Sequence, residues 1–116
     1  MLKLAHIACL LTLFSLLDDA MSAENITVAV GQEFTVSLKS TPTTGYVWEV
    51  QNLPPNLVLL GSDYEKPKGD IKPGSPVTQS FRFKAQASGG STITLVRKRS
   101  WENQPVETHE VTVTAK

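Results

Sequence analysis

Few side chains in this sequence are equipped for covalent or acid–base chemistry. Cys9 is the single cysteine, and His6 and His109 are the two histidines. Cys9 and His6 share one apolar run near the start, while His109 stands far downstream in an alternating stretch, with no partner triad in sequence. That stock offers neither a nucleophile–base pair nor a metal cage, so no enzyme, cofactor or metal is expected. What the sequence does concentrate is material for recognition. Thr41-Pro42-Thr43-Thr44-Gly45-Tyr46 joins a proline that fixes one torsion to a glycine that permits a turn other residues resist. Between them Thr43 and Thr44 present hydroxyls and backbone without bulk, which makes a stiff, narrow prong. Arg97-Lys98-Arg99-Ser100-Trp101 delivers an indole among polar neighbours, Ser100, Glu102 and Asn103, where a core is not expected. A third segment, Lys72-Pro73-Gly74-Ser75-Pro76-Val77, is a Pro- and Gly-bearing connection.

Composition limits what these segments can belong to. The 116 residues carry 11 Lys+Arg against 11 Asp+Glu, and this neutrality excludes a nucleic-acid-coating protein. With 41% hydrophobic residues the chain is not disordered, and its length allows one domain.

The first 23 residues read as a secretory signal peptide. Lys3 gives a positive start, Leu4 to Leu17 form an apolar run, and Asp18-Asp19 end it ahead of the small-residue stretch Ala20-Met21-Ser22-Ala23. The run is shorter than the roughly 20 apolar residues a membrane-crossing helix needs. Cleavage is expected after Ala23 or Ser22. The mature domain, 24–116, then has ten basic and nine acidic residues, no cysteine and no membrane segment. It is expected to be secreted or periplasmic, and monomeric. In an oxidising compartment it must rely on an ordinary core, without disulfides.

The elements that must position the three segments alternate with period two. Ile26, Val28 and Val30 face one way; so do Phe34, Val36 and Leu38, then Phe81, Phe83 and Ala85, and finally Val111, Val113 and Ala115. Short strands are also expected at Val47–Val50, Leu57–Leu60 and from Ile93 onward, with turn signals about every ten residues. The expected fold is all-β, an immunoglobulin-like antiparallel β-sandwich of about seven to eight strands, with a closed barrel as the alternative. Trp48, Phe34, Phe81 and Phe83 are the candidates for central packing, each contributing about 2–3 kcal/mol by burial. Ser62 to Pro76 is expected to be a surface loop, Gly89-Gly90 a hairpin turn, and His109 a solvent-facing side chain. Asn25-Ile26-Thr27 is a glycosylation sequon, meaningful in a eukaryotic source.

At the three recognition segments the chain resembles the chagasin family, inhibitors of papain-like cysteine proteases. That family carries an Asn-Pro-Thr-Thr-Gly-Tyr/Phe loop closely followed by Trp, a glycine-rich middle loop and an Arg-Pro-Trp loop. Here Thr41 to Tyr46 match the first with Thr41 for Asn, and Trp48 stands at the expected place. Arg99-Ser100-Trp101 keeps the Arg and Trp of the last loop and replaces its proline by Ser100. The middle loop falls on Gly74-Ser75-Pro76-Val77, with one glycine left. The resemblance implies that Thr41–Tyr46 enters the active-site cleft of a papain-like cysteine protease over its catalytic cysteine. Gly74 and Ser75 on one side, and Arg99, Ser100 and Trp101 on the other, would then grip the flanks. It implies a reversible inhibitor that survives because no scissile carbonyl is correctly placed. The competing reading is a secreted immunoglobulin-like adhesion or surface-assembly module that binds through a sheet face or edge.

Overall fold

A computed structural model describes residues 20–65 and 75–116. Within them seven strands form: β1 (Ala20–Val28), β2 (Glu33–Ser40), β3 (Tyr46–Asn52), β4 (Leu57–Glu65), β5 (Val77–Ala85), β6 (Gly89–Arg99) and β7 (Glu107–Ala115). They make a four-stranded sheet in the order β1-β7-β6-β3 and a three-stranded sheet in the order β2-β5-β4. The two sheets pack as a β-sandwich, as the alternation requires: along β5 the odd positions from Val77 to Ala85 are all buried, while Arg82 and Lys84 are exposed.

The core runs between the inner faces. Phe83, Ile93, Leu95, Val111 and Val113 are fully enclosed, with Val36, Trp48, Phe81 and Leu57 around them. Phe34 is half-buried, yet its ring stacks on Phe83 with centroids 5.4 Å apart. Trp48 is 3% exposed, and its indole N–H donates to the Lys39 carbonyl at 2.7 Å, so the buried ring leaves no unpaired donor.

All sheet pairings are antiparallel except one. β1 runs parallel to β7, from Ala20↔Glu107 to Val28↔Ala115. A parallel pair needs a long connection, and here the whole domain lies between the two strands. The strand includes residues 20–23, upstream of the cleavage sites expected from the sequence.

Three local expectations are corrected. Ser62–Glu65 do not begin a loop; they extend β4, pairing with β5 through Ser62↔Phe81 and Glu65↔Thr78. A register shift between Leu59 and Gly61 breaks the alternation, and an edge strand exposed to water carries polar side chains on both faces, which hid it. Gly89 and Gly90 make no hairpin turn; they open β6, pairing with Ala115 and Thr114, and the chain crosses between sheets just before them. His109 is 6% exposed rather than solvent-facing. It shares the inner face with Val111, Val113 and Ala115, and its ring meets that of Trp48 edge-on at 6.3 Å. Both ring nitrogens are partnered, Nδ1 by the Ser22 hydroxyl and Nε2 by Glu24 Oε1 at 2.8 Å.

Candidate functional site

Strand direction decides where the three segments emerge. Ser40 at the end of β2 pairs with Val77 at the start of β5, and Tyr46 at the start of β3 pairs with Arg99 at the end of β6. Glu65 pairs with Thr78, and Arg97 with Glu107. The connections β2–β3, β4–β5 and β6–β7 therefore leave the same end of the sandwich.

The first connection is a single tight turn. Pro42–Thr44 form a 3-10 turn in which Thr44 N–H donates to the Thr41 carbonyl at 3.0 Å. Gly45 closes it in the left-handed region, φ +89°, with its N–H donating to the Pro42 carbonyl at 2.9 Å. The Thr44 hydroxyl ties back to the Thr41 carbonyl at 2.8 Å, and Thr41 N–H donates to the Tyr46 carbonyl at 3.0 Å. The stem is thus stapled from inside while Thr43 and Thr44 stand exposed. Pro42, Gly45 and Tyr46 are half-buried beneath them.

The third connection leans on the first. Trp101 is 70% exposed, but the edge of its indole lies on Gly45: a Cβ placed there would stand 2.6 Å from Trp101 Cη2. Glycine at this position therefore serves two ends, the positive φ and the room for the indole. Arg99 runs between the loops, with Nε donating to the Thr44 carbonyl at 3.0 Å. Its guanidinium lies over the Tyr46 ring at 4.2 Å and over the Trp101 ring at 5.7 Å. Ser100 is exposed at the turn, whose backbone closes through Glu102 N–H to the Arg99 carbonyl at 3.0 Å. Lys98 Nζ adds a bond to the Glu102 carbonyl at 3.0 Å.

Of the middle segment, Ser75 is half-buried just ahead of β5, and Gly74 lies outside the described residues. Pro76 borders an open groove with Thr41, Trp48, Leu38 and Arg97, which puts the end of the middle segment beside the stem of the first.

Several residues of this end escaped the sequence reading. Gln79 is buried, and its side chain reaches from the three-stranded sheet to both backbone groups of Trp48, accepting from N and donating to O at 2.9 Å each. Its signal was there: a polar residue at an inward position of β5. Glu102, marked in the sequence only as a polar neighbour of Trp101, and the Arg97–Glu107 ion pair, 3.0 Å, had no role assigned from sequence; charges near a turn carry no distinguishing pattern there. Among the described residues no group of three or more His, Cys, Asp or Glu is placed to hold a metal.

Comparison with known proteins agrees with this architecture. Chagasin of Trypanosoma cruzi is 28% identical over 99 residues, spanning 81% of this chain and 89% of that protein. The cysteine protease inhibitor EhICP2 of Entamoeba histolytica superposes with a TM-score of 0.67 at 18% identity, over 84% of this chain and 94% of that one. PbICP-C, solved in complex with falcipain-2, superposes with a TM-score of 0.59 at 16% identity, over 85% and 92% of the two chains. At these identities the two structures show a shared fold. The profile described as "Chagasin family peptidase inhibitor I42" matches residues 27–115, nearly the whole sandwich. The chain therefore belongs to the chagasin family of peptidase inhibitors, and it is an inhibitor rather than an enzyme.

Proposed function

We propose that this protein is a reversible inhibitor of papain-like cysteine proteases that fills the target's active-site cleft with the loop end of its sandwich. In this reading Thr41–Tyr46 is the inserted prong, Trp101 and Ser100 lie against one flank of the cleft, and Gly74 and Ser75 against the other. The observation that carries it is the contact of Trp101 with Gly45, which joins an exposed polar turn and an exposed indole into one surface. Such a surface suits a cleft that receives an extended backbone beside a thiolate–histidine pair. A turn closed by its own hydrogen bonds has little freedom left to lose, so a modest contact area binds tightly. The complex of the fold neighbour PbICP-C with falcipain-2 supports the same direction.

The proposal extends to processing and location. Residues 1–23 serve as a secretory leader, and the inhibitor acts in the periplasm or outside the cell as a monomer. Cleavage after Ala23 leaves Glu24–Val28 to hold the register against Val111–Ala115, and keeps Glu24 beside His109 while removing Ser22.

Titration of the protein against a papain-like enzyme tests the activity: progressive, reversible loss of peptide hydrolysis at micromolar concentration is expected, and undiminished turnover overturns the reading. N-terminal sequencing of the exported protein tests the processing, with Ala23 or Glu24 expected first.

A further inference from the structure

We propose that Arg99 is a positioning residue: it acts on the target through Trp101 and the first loop instead of touching the target, and Glu102 holds it in that role. This inference rests on the inhibitory reading above, but departs from the role the family resemblance implies for Arg99, a direct grip on the protease.

The Arg99 side chain is engaged inside the inhibitor through two of its N–H groups and through the face of its guanidinium. Nε donates to the Thr44 carbonyl at 3.0 Å, at the tip of the first turn. Nη1 faces Glu102 Oε1 at 3.5 Å, in the third connection. The guanidinium lies over Tyr46 at 4.2 Å and over Trp101 at 5.7 Å, so it is set among aromatic rings from both loops. The aliphatic stem closes the gap below, its Cγ 3.4 Å from the position a Cβ on Gly45 would take. Only a planar, five-donor cation can stack and donate in this way at once; an ammonium keeps the charge and loses the geometry.

The need for such a link follows from Ser100. A proline at that position would restrict the backbone leading to the indole, and Ser100 does not. Stiffness is supplied instead by the stacking and hydrogen bonds of Arg99 and by bonds to the backbone of Glu102. Arg99 is the register partner of Tyr46, so β3 and β6 deliver it to the junction without a flexible segment between. Glu102 fixes the far side of the turn twice, through its N–H to the Arg99 carbonyl and through its carbonyl to Lys98 Nζ, both 3.0 Å. The result is a wedge of two loops whose relative position is set before any target is met.

A double-mutant cycle on the full chain tests this, using Arg99→Lys, Trp101→Ala and the double variant against a papain-like enzyme. Arg99→Lys should weaken inhibition about tenfold alone and by less than about twofold in the Trp101→Ala background, because the two residues act as a unit. Equal factors in both backgrounds, or wild-type inhibition by Arg99→Lys, would overturn the proposal by making Arg99 an independent contact or a dispensable one. A readout on the free protein needs no protease. In NMR spectra the indole ring current on Gly45 Hα should be lost in Arg99→Lys and reduced in Glu102→Gln, with the melting temperature close to wild type. An unchanged Gly45 signal in Arg99→Lys also overturns it. If the wild-type chain inhibits no papain-like enzyme, the functional reading falls while the Gly45 signal still decides whether Arg99 sets the indole.

Discussion

The side-chain amide of Gln79 satisfies both backbone groups of Trp48, accepting from its N–H and donating to its carbonyl at 2.9 Å each. β3 is the end strand of its sheet, so its outer edge has no neighbouring strand to pair with. Gln79 comes from the opposing sheet and closes that edge from inside. It thereby pins the strand that begins at Tyr46, immediately after the first loop, without a disulfide between the sheets.

Replacing Gln79 by Leu should expose this dependence. The volume is similar, but the amide and carbonyl of Trp48 are left buried and unpaired, at about 1–3 kcal/mol for each group. A fall in melting temperature of several degrees by calorimetry is expected. A melting curve that superposes on wild type would show that water replaces the glutamine at no cost.

Gly45→Ala should act on the indole as well as on the backbone. The methyl group enters a position with φ +89° and lies 2.6 Å from Trp101 Cη2, so the ring has to move. Gly31 provides the control, since it has φ +91° and nothing within 4 Å of its Cβ position. Both substitutions should cost about 1 kcal/mol of stability through the strained torsion. Inhibition constants should separate them: Gly45→Ala weakened, Gly31→Ala unchanged.

Trp101→Ala should separate binding from stability in the opposite sense. At 70% exposure the indole contributes little to the fold, and its loss should change stability by no more than about 0.5 kcal/mol. As an exposed aromatic beside the prong, on the flank of the proposed contact, its removal should weaken inhibition by more than about 2 kcal/mol. Parallel chemical denaturation and inhibition assays measure both quantities on the same preparation.

Phe83→Ala should do the reverse. The ring has no exposure and stacks with Phe34 and Phe81, and truncation of such a residue costs about 3–5 kcal/mol. The variant should unfold at much lower denaturant concentration. The fraction that stays folded should inhibit with the wild-type constant, because the loop end lies beyond the substitution.

The β-sandwich was legible in the sequence because alternation is a local property: Phe81, Phe83 and Ala85 against Arg82 and Lys84 name the buried face without knowledge of any partner strand. The same parity places His109 inward with Val111 and Val113, and its polarity, taken ahead of its position, inverted that side chain; Val30, expected beside Ile26 and Val28, lies past the end of β1 and is exposed. Ser62–Glu65 were lost for a different reason. A polar edge strand after a bulge has no alternation to read, and only pairing with β5 identifies it.

The prong was equally local, since Pro42 and Gly45 restrict the backbone wherever they occur and the turn between them closes on its own hydrogen bonds. The sequence by itself thus determined the fold class and the turn that joins β2 to β3. Only the tertiary structure decided that Trp101 rests on Gly45, that Arg99 joins their loops and that Gln79 holds Trp48. Each of these relations spans more than 30 residues of chain. Contacts across such distances are set by strand order and register, which depend on how both sheets pack together; period-two alternation places Gln79 inward but names no partner for it.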